Sequence, residues 1–141
     1  MTLTVLDVTG DPVLAFPSVG PEGQALRAQV FSGLCRIGHP PGGRPRLWGA
    51  SAARLGFYVP QGGPLRASYL LSTWAEVSLA RAHISGGDYT RGGPYGVDDV
   101  AVQLVDDDRG FGGRWPYLWF TAYGDQPMAV RYRLTVTQPV D

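Results

Sequence analysis

The chain has no lysine and no asparagine, and only one cysteine, Cys35, in 141 residues. A lone cysteine excludes an internal disulfide, so packing and hydrogen bonds must hold the fold. All twelve basic residues are arginine, and twelve acids match them. A net charge of zero excludes nucleic-acid binding through a broad basic surface. The missing lysine and asparagine have AT-rich codons, which points to a GC-rich source and says nothing of function. Long apolar runs are missing too. No window reaches the length of a membrane span, and the opening "MTLTVLDVTGDP" lacks the basic start and apolar stretch of a signal peptide. The expectation is a soluble protein, cytoplasmic or associated with a particle assembled there, with no membrane partner. Catalytic signatures are also lacking: there is no G-x-S-x-G, H-E-x-x-H, C-x-x-C or P-loop. Cys35 and His39, in "CRIGH", are the right types for a nucleophile and its base. A cysteine in an apolar run nevertheless reads first as a small core residue. No catalytic residue is expected.

Glycine and proline are plentiful. Twenty Gly and twelve Pro lie along the whole chain, which favours many short elements joined by tight turns. A hydrophobic share of 44% against 17% charged is that of a globular chain. The length suits one domain over 1–141. Alternation marks the strands. "TLTVLDVTGDPVLAF" reads as two strands around a Gly-Asp-Pro turn. Leu26, Ala28 and Val30 alternate with Arg27 and Gln29. Across 64–84 helix and strand compete, but seven of the eight odd positions from 65 to 79 are apolar, which favours strand. Val100, Val102 and Leu104 share a face. So do Met128, Val130, Tyr132, Leu134 and Val136, with Arg131 and Arg133 opposed. The segments 38–46 and 85–96 are loops. The fold expected is an all-β antiparallel β-sandwich of about eight strands, jelly-roll-like or Ig-like.

The stretch "VDDDRGFGGRW" over 105–115 carries the densest chemistry. Asp106, Asp107 and Asp108 close a strand, and the glycines after them free backbone carbonyls to turn inward. Carboxylates plus carbonyls are what Ca²⁺ takes, six to eight oxygens in all. Asp98 and Asp99 open the same strand roughly 20 Å away, too far to share that ion. The readings, in order, are a solvated strand-end turn, a calcium site, and a catalytic carboxylate cluster. No other cofactor is expected.

In "WPYLWFTAY" both faces are apolar: Tyr117, Trp119 and Tyr123 on one, Leu118, Phe120 and Ala122 on the other. If "GDQP" is a four-residue hairpin loop, Trp119 opposes Tyr132 and the Tyr/Trp face turns inward, with Leu118 and Phe120 outside beside Arg131 and Arg133. A loop one residue different reverses this and exposes an aromatic platform. Trp115 and Tyr95, placed in loops, are the expected exposed contacts, with Arg131 and Arg133 as their charged counterparts on a partner-facing surface.

The pattern "YLWFTAYG", a short turn, then "VRYRLTVTQP" resembles the closing hairpin of calcium-binding β-sandwich domains of the bacterial pre-peptidase C-terminal type. The resemblance covers about the last 45 residues and implies a β-sandwich with a bound Ca²⁺. Two functions from different classes follow. The first is a non-enzymatic structural or assembly protein, such as a decoration or appendage component of a phage-like particle, with a protein partner or its own copies. The second is a carbohydrate-type binding module with a structural calcium ion.

Overall fold

The computed structural model describes residues 3–39, 52–61, 72–82, 96–124 and 127–140. Tyr95, His83 and the segments 40–51, 62–71 and 83–95 lie outside the described residues. Eight strands run through the described ones: β1 (Thr4–Gly10), β2 (Leu14–Val19), β3 (Ala25–Gly38), β4 (Ala52–Tyr58), β5 (Ser72–Ala82), β6 (Gly96–Asp106), β7 (Arg114–Tyr123) and β8 (Met128–Pro139). No helix among these residues is long and apolar enough to cross a membrane. The ambiguous segment is strand over its described part, 72–82, as alternation favours.

The strands form a sandwich of two antiparallel sheets. One has the order β1-β3-β8-β5, with β2 also on β3; the other is β4-β7-β6. The chain changes sheet from β3 to β4, β4 to β5, β5 to β6 and β7 to β8, the habit of a jelly-roll-like sandwich. β1 and β2 follow one another along a single edge of β3: β2 pairs with Ala25–Val30 and β1 with Gly33–Gly38. Backbone groups at their junction need partners, and side chains as well as backbone supply them. Asp11 N donates to Ser32 O at 2.8 Å. Gln61 Nε2 donates to Ser32 O at 2.9 Å and to Asp11 O at 3.3 Å. From β8, the Tyr132 hydroxyl donates to Thr9 O at 3.0 Å, with Gln61 Oε1 3.2 Å away.

The core lies between the sheets. From the larger sheet come Phe31, Cys35, Ile37, Val130, Tyr132, Leu134 and Val136; from the smaller come Leu55, Phe57, Leu118, Phe120 and Ala122. Phe57 joins the two, edge-on to Phe120 at 6.1 Å and to Tyr132 at 5.0 Å, a favoured aromatic arrangement. The apolar face expected for β8 is therefore the core face. Cys35 is fully buried in this cluster. Burial first, then the Asp7 carboxylate, pushes its thiol up to about 12, the opposite of an activated nucleophile.

The facing expected for β7 is corrected. β7 and β8 form no hairpin: β7 bonds to β4 and β6, and β8 to β3 and β5. The register argued across "GDQP" therefore does not arise. What sets the facing of β7 is β4, which places Leu55 opposite Phe120 and Phe57 opposite Leu118. Leu118, Phe120 and Ala122 are buried, and Tyr117, Trp119 and Tyr123 turn outward. In β3 Leu26, Ala28 and Val30 alternate with Arg27 and Gln29 as expected, and their register with Thr137 and Thr135 of β8 puts them on the outer face, where they are buried.

Candidate ligand-binding face

The hairpin joining β6 to β7 is organised by one carboxylate. Asp107 accepts from Arg109 N at 3.0 Å, Arg109 Nε at 2.8 Å and Gly112 N at 2.8 Å, and from Phe111 N. Its own N–H donates to Gly113 O at 3.0 Å and closes the loop. Such a tight path needs left-handed backbone, supplied by Gly110, Gly112 and Gly113 at φ of 94°, 75° and 78°. The Asp107 side chain is 0% exposed. Burial pushes its carboxyl up, but the hydrogen bonds from Arg109, Phe111 and Gly112 outweigh that and hold it below the ordinary carboxylate value.

The neighbouring acids turn elsewhere. Asp108 Oδ1 accepts from the Tyr58 hydroxyl at 2.8 Å. This bond, with burial and the acid's charge, keeps the phenol protonated above its usual range. Asp106 faces Arg114 at 3.5 Å in an exposed pair, the kind worth little in water. Among the described residues, no group of three or more His, Cys, Asp or Glu is placed to hold a metal ion. The ring of N–H donors around Asp107 is a cradle for an anion, and the protein's own carboxylate occupies it.

This loop has a testable electrostatic consequence. The fold favours ionised Asp107, so its contribution is complete above the ordinary carboxylate pKa near about 4 and fades as pH falls through the lower folded value. Asp107→Asn should lower Tm at neutral pH, and its gap to the parent should close below about pH 4. Asp7, held down by Arg36, cancels because both proteins carry it. Asp106→Ala should leave Tm unchanged. A gap that persists at low pH would show that shape, not charge, holds the loop.

From the loop an aromatic row crosses the outer face of the smaller sheet. The Arg109 guanidinium lies 3.7 Å from the Tyr58 ring centre, 4.6 Å from Trp115 and 5.3 Å from Phe111, within cation–π range. Trp115 Nε1 donates to Gly112 O at 2.7 Å. Tyr58 meets Tyr117 at 4.9 Å, and Tyr117 meets Trp119 at 4.7 Å. Gly56, opposite Trp119 in β4, makes room for this: a Cβ there would lie 2.2 Å from Tyr117 and 2.7 Å from Trp119. Both rings lean into the space over the glycine. On the other flank β6 sets Ala101 opposite Trp119 and Gln103 opposite Tyr117, and Gln103 Oε1 accepts from Trp119 Nε1 at 3.1 Å.

A one-residue bulge between Asp98 and Ala101 shapes that flank. Asp99 takes a left-handed φ of 53°, and its carbonyl accepts from Arg54 Nη1, which also donates to Thr121 Oγ1 at 3.2 Å. Bulges often re-aim side chains beside functional sites. Arg54, Ala101, Val102, Gln103 and Trp119 together line a shallow depression.

Of the contact residues expected from sequence, Tyr95 lies outside the described residues; among the described ones Trp115 belongs to this face, and it sits within β7, not in a loop. Arg131 and Arg133 are exposed on the outer face of the other sheet, opposite Ser78 and Glu76. Arg54, Tyr58, Gln103, Arg109 and Phe111 are members that sequence reasoning did not single out, and Tyr117 and Trp119 it turned outward only in its alternative register. The short pattern "GFY" at 56–58, a glycine beside a tyrosine two positions on, was the available signal.

No family model matches this chain, nor does any curated protein or solved structure.

Proposed function

We propose that this protein is a non-enzymatic binding module that takes carbohydrate on the outer face of its three-stranded sheet. The observation that carries this reading is the row Tyr58–Tyr117–Trp119 lying outward over Gly56. Outer faces of antiparallel sheets are ordinarily polar. A sugar offers apolar C–H faces to rings and hydroxyls to planar polar groups, and here Gln103 and Arg54 stand beside Trp119. The reading needs no cofactor. Calorimetric titration against a panel of glycans tests it. Trp119→Ala should weaken binding about 30-fold or more, the effect of removing a hot spot of about 2 kcal/mol, while leaving Tm near the parent. Equal affinity in the variant, or no glycan bound, defeats the proposal.

A different observation favours assembly as the second reading. On the outer face of the larger sheet, Leu14, Val30, Thr135 and Trp74 form one transverse row. Leu14 is 65% exposed and Trp74 69%, with Phe16 beside them. An apolar face of this kind suits a protein partner or further copies of the chain in a particle. Light scattering after size exclusion separates the readings: a Trp74→Ala variant should fall from oligomer to monomer if assembly is the role, and stay unchanged if it is not.

A further inference from the structure

We infer that the ligand is a single soluble chain of uncharged sugars centred on Trp119, and neither a crystalline polysaccharide surface nor an acidic glycan. This rests on the carbohydrate reading and narrows its ligand class.

Ring planes exclude the flat solid. Tyr58 and Tyr117 are inclined at 84°, Tyr117 and Trp119 at 48°, and Phe111 and Trp115 at 44°. A flat array of chains must lie on coplanar rings at once, and none of these neighbouring pairs among the described residues is coplanar. A single chain escapes this limit, because it turns about its glycosidic bonds from one sugar to the next.

The surroundings of Trp119 select one sugar for hydrogen bonding. Gly56 and Ala101 flank it in the adjacent strands, so no bulky side chain of those pairs walls off the indole. Gln103 commits its amide oxygen to the indole N–H, so its NH₂ group is what it offers a ligand oxygen. Arg54 is steadied by two uncharged acceptors, Asp99 O and Thr121 Oγ1, and a guanidinium carries five donors in a fixed fork. Together they offer donors fixed beside a ring, which suits hydroxyl and ring oxygens.

Charge excludes the acidic chain. β4 and the β6–β7 hairpin carry three arginines and five aspartates. Arg109 is bound to Asp107 and Arg114 faces Asp106. Among the described residues of these elements Asp98, Asp99 and Asp108 then outnumber Arg54, so a uronate or sulfated chain meets net like charge along the face, whereas a neutral chain does not.

The test uses the intact chain. Soluble neutral glycans (a β-glucan, a mannan, a xylan, a dextran) are compared by titration with polygalacturonate and alginate, and by sedimentation with microcrystalline cellulose and chitin. The expected result is binding to a soluble neutral glycan, unchanged as salt rises from about 0.01 to 1 M and the screening length falls from about 30 to 3 Å. Trp119→Ala should weaken it about 30-fold or more and Gln103→Ala about tenfold or more, and Trp74→Ala should not. Binding only to the acidic polymers, with affinity falling steeply with salt, or only to the crystalline solids, overturns this inference and leaves the carbohydrate reading standing. No binding to any of them overturns both.

Discussion

Replacing Phe120 with alanine should cost about 3–5 kcal/mol of folding stability, the range for truncating a buried aromatic. Replacing Trp119, one residue earlier, should cost far less. Phe120 is wholly buried, lies opposite Leu55 and makes an edge contact with Phe57. Its loss leaves a cavity between two sheets whose ladders resist collapse. Trp119 points the other way and leaves only partly covered surface behind. Urea unfolding of the two variants measures this directly. Comparable losses would mean that β7 is faced wrongly, and the aromatic row would go with it.

Gly33→Ala should be the next most damaging change, at about 3 kcal/mol or more, the upper end for forced overpacking. Gly33 sits in the middle of β3, paired with Gly10 and Tyr132. An added Cβ would lie 1.9 Å from the Thr9 carbonyl oxygen and 2.7 Å from the Tyr132 hydroxyl. The first is backbone, fixed by its ladder, and the second would lose the bond that ties β8 to the β1–β2 junction. Gly96→Ala is the control, since nothing lies within 4 Å of its added Cβ. It should hold or slightly raise the denaturation midpoint, because alanine narrows the unfolded ensemble. Equal midpoints for the two variants would show that β1 can move off β3 at little cost.

Alternation alone made the strands legible, because side chains on an extended chain point to opposite faces with period two. That covers β5, where strand prevailed over helix, and the buried face of β8, whose opposite face is plainly polar. The acidic loop was legible as a strand-end turn for a similar reason. The Asp107 carboxylate bonds within five residues of itself, and the glycines that permit it stand beside it in the chain.

Only the tertiary structure decided which face of β7 is the core. Both faces are apolar, so hydrophobicity does not choose between them. β4 decides, by setting Leu55 and Phe57 against Phe120 and Leu118 and by leaving Gly56 under the outward rings. The same holds for Arg131 and Arg133. They stand few residues beyond Trp119, yet on the opposite outer surface, because the chain crosses from one sheet to the other between β7 and β8. Sheet membership is settled by hydrogen-bond ladders between segments far apart in sequence, and closing a longer loop to reach them costs little more than closing a short one. Local pattern therefore specifies each strand and its two faces, while the partner strand specifies which of the two meets water.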